Sequence, residues 1–292
     1  MSEKGKLINM FEKDLVFKVK TNFALTLKRV QDEISKYAGR NKLDARSMKK
    51  YARLTNLEKK IKIYIQSLGN SNISTLKKDL REQYRQMYYF NFYDFERRLK
   101  VGISFNLLDT DAVLKALENP FDRVGFVVRE KENQRALVLR LQQELSLGLV
   151  RGEGFAEISE RISNTFDISL NNSLRIVRTE GHRVREEANF DSIKDAKELG
   201  INLKKEWRAT LDERTRDSHQ SLDGQIKEVE EEFEIRGEKA SRPGSFGIAR
   251  EDINCRCTIR SVVDGYNNKF ERASMTGYTS FKTYKEWQEK KL

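Results

Sequence analysis

Residues 8–37 read INMFEKDLVFKVKTNFALTLKRVQDEISKY, and their apolar spacing decides the class of the N-terminal half. Ile8, Phe11, Leu15, Val19, Phe23, Leu27, Val30, Ile34 and Tyr37 advance by three or four positions each time. That is the α-helical repeat, with Gly39 as a stop. A second stripe, Met48, Tyr51, Leu54, Leu57, Ile61, Ile65 and Leu68, has Asp44 as a cap and Gly69-Asn70 as an end. A third begins at Ser74 and carries Leu76, Leu80, Tyr84, Met87, Phe95 and Leu99. Its middle, Tyr88-Tyr89-Phe90-Asn91-Phe92-Tyr93, is aromatic on every side, which points to a helix enclosed by neighbours; base stacking is the functional alternative.

Farther along, Asp109 or Thr110 caps a short helix that ends before Pro120. Leu137, Leu141 and Leu145 ride a helix that stops near Gly148. Phe155, Ile158, Ile162 and Phe166 mark a short helix, and Leu170, Leu174, Val177, Val184 and Ala188 a longer one with Gly181 inside. After Gly200 the texture changes. Leu203 to Leu211 reads as a strand, Asp223-Gly224 as a turn, Gln225 to Val229 as a second strand, 236–252 as a loop and Cys255 to Val263 as a third strand. Phe281, Tyr284 and Trp287 lie three apart near the end, either packed on the parent domain or offered to a partner groove. The expected class is α+β and mostly helical. A basic all-α domain spans 1–147, a small α+β domain with a few-stranded sheet spans 148–265, and an arm spans 266–292.

Composition narrows the function. Apolar residues are 38% and charged residues 35% of 292, and no apolar run is long enough to span a bilayer. The opening Met-Ser-Glu-Lys-Gly-Lys lacks the apolar stretch of a secretory signal, and two cysteines make no disulfide framework, so a reducing cytosol is the expected compartment. The net charge of +11 is unevenly placed: residues 1–150 hold 30 Lys and Arg against 18 Asp and Glu, whereas 151–292 are near neutral. A basic face attracts phosphate backbones without reading sequence. The candidate contacts are Lys18, Lys20, Lys28, Arg29, Lys49, Lys50, Lys59, Lys60 and Lys62. The acidic run Glu228 to Glu234 reads as a solvated edge that would repel DNA.

The chemistry-bearing residues lie in the back half: Arg178-Thr179-Glu180; Trp207; Asp212, Arg214, Thr215, Arg216 and His219; Asp223-Gly224; and Asn254-Cys255-Arg256-Cys257. In this order they resemble the phage Mu F-like head morphogenesis family, also called minor head or minor capsid proteins, over roughly residues 137–265. The resemblance implies a virion protein of a tailed phage, inside the head near the portal and assembled in the host cytoplasm. It implies portal, major capsid or scaffolding partners, roles in head assembly and in DNA packaging or ejection, and no enzymatic activity or cofactor. With the basic front, it implies non-specific contact with double-stranded DNA and no membrane partner.

The same residues admit two other readings. His219, Cys255 and Cys257 would supply three zinc ligands, with His182 or Asp212 as a fourth; against that, the thiols read as small reduced hydrophobes and no metal is expected. Arg178, Glu180, Asp212, Arg214, Arg216 and His219 would do acid–base or phosphoryl chemistry if they converge, making a nuclease or nucleotide-transferring enzyme. Neither a phosphate-binding glycine loop nor a hydrolase motif accompanies them, so an ion-pair network pinning the helix to the strands is the expectation.

Overall fold

The computed structural model describes residues 2–38, 52–109, 113, 125–266, 275–276 and 280–292. Its elements are α1 (Glu3–Ala38), α2 (Ala52–Leu99), β1 (Gly102–Ile103), α3 (Phe126–Arg151), α4 (Phe155–Glu198), β2 (Ile201–Arg208), α5 (Asp217–Gln220), β3 (Ile226–Glu228), β4 (Phe233–Ile235), β5 (Glu238–Ala240), α6 (Ala249–Asp252), β6 (Thr258–Tyr266), β7 (Met275–Thr276) and α7 (Tyr284–Lys291). The chain is thus α+β and mostly helical, with its small sheets toward the C-terminal end. It forms two compact units. One joins Leu7–Lys78 to Phe126–Val177; the other joins Met1–Lys6, Asp79–Gly125 and Arg178–Leu292.

The first unit is helical. Leu15, Val19, Phe23, Val30 and Ile34 of α1 are buried, as are Leu57, Ile61, Ile65 and Leu68 of α2, Leu137, Leu141 and Leu145 of α3, and Ile158, Ile162 and Phe166 of α4. Two expected breaks are absent. The helix runs through Gly69-Asn70 because the missing Gly69 Cβ leaves room for the Gln134 side chain of α3. Likewise α4 runs through 166–170, so the two helices expected there are one. A third break moves: α3 continues past Gly148 to Arg151, and Gly148 is where the Ile158 side chain of α4 lies against the helix. The short helix expected before Pro120, and the Asp44 cap, lie outside the described residues.

A line of buried amides and hydroxyls crosses this unit. Asn22 Nδ2 donates to Asn72 Oδ1 at 3.0 Å, and Asn72 Nδ2 to Glu130 Oε1 at 3.0 Å. The Ser173 hydroxyl reaches the same carboxylate at 2.9 Å. One residue from each of four helices joins the chain, so no member is buried without a partner. Burial pushes the Glu130 carboxyl above its ordinary range, opposed by these hydrogen bonds.

In the second unit β2 is central, paired antiparallel with β3 and with β6. Ile201, Leu203, Lys205 and Trp207 share its buried face. Lys205 is tolerated there because its ammonium donates to the Val229 and Ser241 carbonyls, each at 2.9 Å, and lies over the Phe190 and Phe233 rings; burial pulls its pKa down to about 8. The expected loop 236–252 instead contains β5, which pairs with β4. In the acidic run, Phe233 and Ile235 are buried while Glu230, Glu231, Glu232 and Glu234 are exposed. The aromatic stretch of α2 is enclosed: Trp287 and Tyr284 of α7 pack on Tyr89, Phe90 and Tyr93, and Trp287 Nε1–H donates to Glu96 at 2.7 Å. The C-terminal aromatics therefore pack on their own chain.

Two outcomes follow for the helical unit. Gly148→Ala gains about 1 kcal/mol of helix propensity, but its methyl would stand 2.5 Å from Ile158 Cδ1, a side chain fully enclosed. Net loss of about 1–2 kcal/mol in urea unfolding is expected from the overpacking. The second concerns Glu130, whose folded pKa lies above its unfolded value. The cost of its ionised form is present above the folded pKa and is relieved as pH falls toward the unfolded value of about 4.3. Wild type should gain stability relative to Glu130→Gln as pH drops through that window, read from parallel melts.

Candidate functional site

Residues 255–257 precede β6 and have no strand partner, so their backbone needs other hydrogen bonds. One face of α4 supplies bonds at both ends of this segment. Thr179, His182 and Glu186 are spaced three and four apart and lie on one side of the helix. Thr179 Oγ1 accepts from the Asn254 N–H at 3.3 Å. His182 Nε2–H donates to the Cys257 carbonyl at 2.6 Å. Glu186 accepts from the Ile259 N–H at 2.9 Å and from the Thr258 hydroxyl at 2.8 Å. Burial holds the His182 pKa below the usual imidazole value, so the ring is neutral and keeps an N–H for this bond.

This docking corrects the sequence-based strand. β6 starts at Thr258 rather than Cys255, because the preceding residues are bonded to a helix and a loop instead of a neighbouring strand. Asn254 sits at φ 56°, a left-handed conformation that Asn tolerates better than most residues. The chain turns there, and both following thiols face His219 of α5. Cys257 Sγ is 3.2 Å and Cys255 Sγ 3.6 Å from His219 Nδ1. On the other side of the ring, Nε2–H donates to Glu251 Oε2 at 3.1 Å. Trp207 stands edge-on to the imidazole with centroids 5.9 Å apart, and Phe246 lies beside it. All three donor residues are buried, and the cysteines are free thiols. Contact between the two sulfurs, with His219 beside them, draws Cys257 below the ordinary thiol range and pushes Cys255 above it.

A second layer frames the cluster. Arg256 grips Asp212 with two parallel bonds of 2.5 Å, which holds that carboxyl well below its usual range. Arg216 reaches the Ile253 carbonyl at 2.6 Å and the Glu251 carbonyl at 3.4 Å, tying the loop before α5 to the end of α6. Thr215 bonds to Thr210 and Asp212 within its own turn. Asp223 Oδ1 accepts from the Ala209 N–H at 2.8 Å, and Gly224 adopts φ 77° in the turn between β2 and β3.

Of the residues singled out from sequence, Thr179, Trp207, Arg216, His219, Cys255 and Cys257 surround this centre. Arg178 and Arg214 do not: both are exposed. Glu180 is buried and meets Arg183 at 3.0 Å. Sequence reasoning does not pick out His182, Arg183, Glu186 and Glu251 as a group. The three-and-four spacing of 179, 182 and 186 is the signal that finds the first part of that set; Glu251, in a short helical turn, leaves none. In the basic front, Lys18 pairs with Asp14 at 2.6 Å and Lys60 with buried Glu33. Lys20, Lys28, Arg29, Lys59 and Lys62 are exposed. Lys49 and Lys50 lie outside the described residues.

Burial ranks the charge-removing substitutions. Glu180→Gln takes from Arg183 the nearer of two carboxylates, Glu187 standing at 3.9 Å, in a pair whose side chains are each 2% exposed, and should cost up to about 3–5 kcal/mol. Asp212→Asn breaks a pair that solvent already screens, about one-third exposed on each side, and should cost a small fraction of that. Arg178→Gln should change stability little. Urea unfolding of the three variants measures the order.

Residues 140–260 match the family model described as Phage Mu protein F like protein. The minor head protein GP7 of Bacillus phage SPP1 is 31% identical over 279 residues, covering 92% of this chain and 90% of that protein. An Enterococcus faecalis protein named NAD(+)–arginine ADP-ribosyltransferase EFV is 36% identical over 214 residues, 73% of this chain but 44% of its own length. An uncharacterized Haemophilus influenzae protein is 26% identical over 163 residues, covering 33% of its length. No solved structure matches. With similarity running nearly end to end along a minor head protein, and a Mu F-like match over the residues that build the cluster, this chain belongs to the phage minor head proteins of the Mu F-like family.

Proposed function

We propose that the chain is a structural component of a tailed-phage head, held inside the particle near the portal, where it acts in head assembly and in DNA packaging or ejection. The observation that carries this reading is the collinear match to a minor head protein over 90% of that protein's length. The proposed division of labour follows charge. The basic front, residues 1–147, contacts packaged DNA without sequence choice, and the Mu F-like region docks on portal, capsid or scaffolding protein. The exposed Lys20, Lys28, Arg29, Lys59 and Lys62 support the first part, since cations already committed to carboxylates have less to offer a phosphate. Lys18 and Lys60, held by Asp14 and Glu33, rank below them.

A second reading comes from the Enterococcus relative, whose name describes transfer of ADP-ribose from NAD+ to arginine. This chain spans less than half of that protein's length, and the polar cluster described above is enclosed, with His219 and Cys257 each 2% exposed. Such enclosure favours a structural role over substrate chemistry. Incubating the full chain with NAD+ and arginine-bearing acceptor proteins should yield no ADP-ribosylated product; product formation would promote the enzyme.

Mass spectrometry of purified particles tests the head assignment, with the chain expected as a minor component and its absence counting against it. For DNA, the full chain should bind unrelated duplexes about equally, with affinity falling steeply as salt rises. Replacing Lys20, Lys28, Arg29, Lys59 and Lys62 with Gln should flatten the log–log salt slope by about 0.9 for each phosphate no longer neutralised. An unchanged slope would refute DNA binding by this surface.

A further inference from the structure

We propose that His219, Cys255 and Cys257 bind a zinc ion. Two thiolates and an imidazole around a tetrahedral zinc, with Zn–S about 2.3 Å and Zn–N about 2.0 Å, place nitrogen and sulfur about 3.5 Å apart. The His219 Nδ1 to Sγ distances are 3.2 and 3.6 Å, and all three donor atoms lie within 4.8 Å of one another. Sulfur with imidazole is a donor set that suits zinc and disfavours the oxygen-loving cations.

Four features beyond proximity point the same way. First, the tautomer is set: Nε2–H is donated to Glu251, which leaves the Nδ1 lone pair aimed at the two sulfurs. A carboxylate behind a ligating histidine orients the ring and raises its basicity. Second, that carboxylate is itself held, accepting from Ser218 Oγ at 3.0 Å. Third, the thiols face a nitrogen rather than an apolar wall. Small hydrophobes packed for burial alone have no need to converge on one lone pair, nor of a left-handed residue at 254 to make them do so. Fourth, Trp207, Phe233 and Phe246 wall the region, with Trp207 and Phe233 5.1 Å apart, so a bound ion would be shielded from exchange.

The metal would join α5, α6 through Glu251, and the segment entering β6. Those pieces are short, and α5 lies well before the other two in the chain, so a shared ion contributes to folding directly. Among the described residues no fourth side-chain donor joins the cluster, and water or another exogenous donor completes the coordination. The site makes no demand on where the chain sits in a particle, so it stands apart from the head assignment.

Elemental analysis of the untagged full chain, purified without chelator, should find about one zinc per chain. Cys255→Ser, Cys257→Ser and His219→Asn should each lose it. Those variants remove buried groups and could misfold for that reason alone, so the deciding measurement is made on wild type. Chelator-stripped wild type refilled with cobalt should show a thiolate-to-cobalt charge-transfer band in the near ultraviolet and tetrahedral ligand-field bands in the visible, and zinc should restore its melting temperature. A folded wild-type chain that holds no zinc above the buffer blank after equilibration, and gives no cobalt–thiolate band, overturns the site. Cobalt bands that persist in both cysteine variants also overturn it, because the ion would then sit elsewhere.

Discussion

The Mu F-like part of this protein depends on one helix face reading the backbone of an irregular segment. Thr179, His182 and Glu186 bond to Asn254, Cys257 and the start of β6. Each bond contributes about 0.5–1.5 kcal/mol net, but stranding a buried backbone group costs about 1–3 kcal/mol. The penalty for a misplaced helix is therefore larger than the gain from a correct one, and it fixes α4 in both rotation and height against the sheet. Everything chemical in the region inherits that placement. Cys255 and Cys257 reach His219 with the Asn254 N–H held by Thr179 and the Cys257 carbonyl held by His182. The Arg256–Asp212 grip and the Arg216 contacts then hold the loop before α5 from the solvent side.

Both units bury polar side chains, and in each some of these are linked in chains rather than pairs. In the helical unit the line from Asn22 through Asn72 and Glu130 to Ser173 ties four helices at one level. In the other, Lys4 donates to Asn91 and Asn189, and Asn91 donates to Asn189 and Ser192. Such networks are costly when incomplete and specific when complete. They also account for the polar composition: a chain that is 35% charged still builds interiors, because some of its polar residues are structural.

Charge at the surface follows a different rule. Several front-half cations are already engaged, Lys36 and Lys60 by the single buried carboxylate of Glu33. The exposed Lys20, Lys28, Arg29, Lys59 and Lys62 are the ones placed to meet an external anion. The carboxylates of 230–234 are exposed and partly met by Lys197, while Phe233 and Ile235 between them face inward. A run that looks acidic in the sequence passes from the end of β3 through a turn into β4, with Val229 and Phe233 facing inward.

The sequence by itself determined the helices of the front half, the turn at Asp223-Gly224, the enclosure of the aromatic stretch at 88–93 and the family, because each is written in local spacing or in a fixed order of residues. It placed His219, Cys255 and Cys257 among the residues that matter. It did not reveal that the helices run unbroken through Gly69 and past Gly148, since a glycine there reads as a stop until a partner helix is found lying against it. It put Arg178 and Glu180 in an ion-pair network pinning the helix to the strands, whereas Arg178 is exposed and Glu180 meets Arg183 on its own helix. And it read residues 255–257 as strand from alternation, although strand needs a neighbour with free backbone groups. Only the tertiary structure decided that the neighbour is a helix face, that Glu251 stands behind His219, and that two thiols and one imidazole nitrogen meet. Those are contacts between residues tens of positions apart, and no local pattern encodes them.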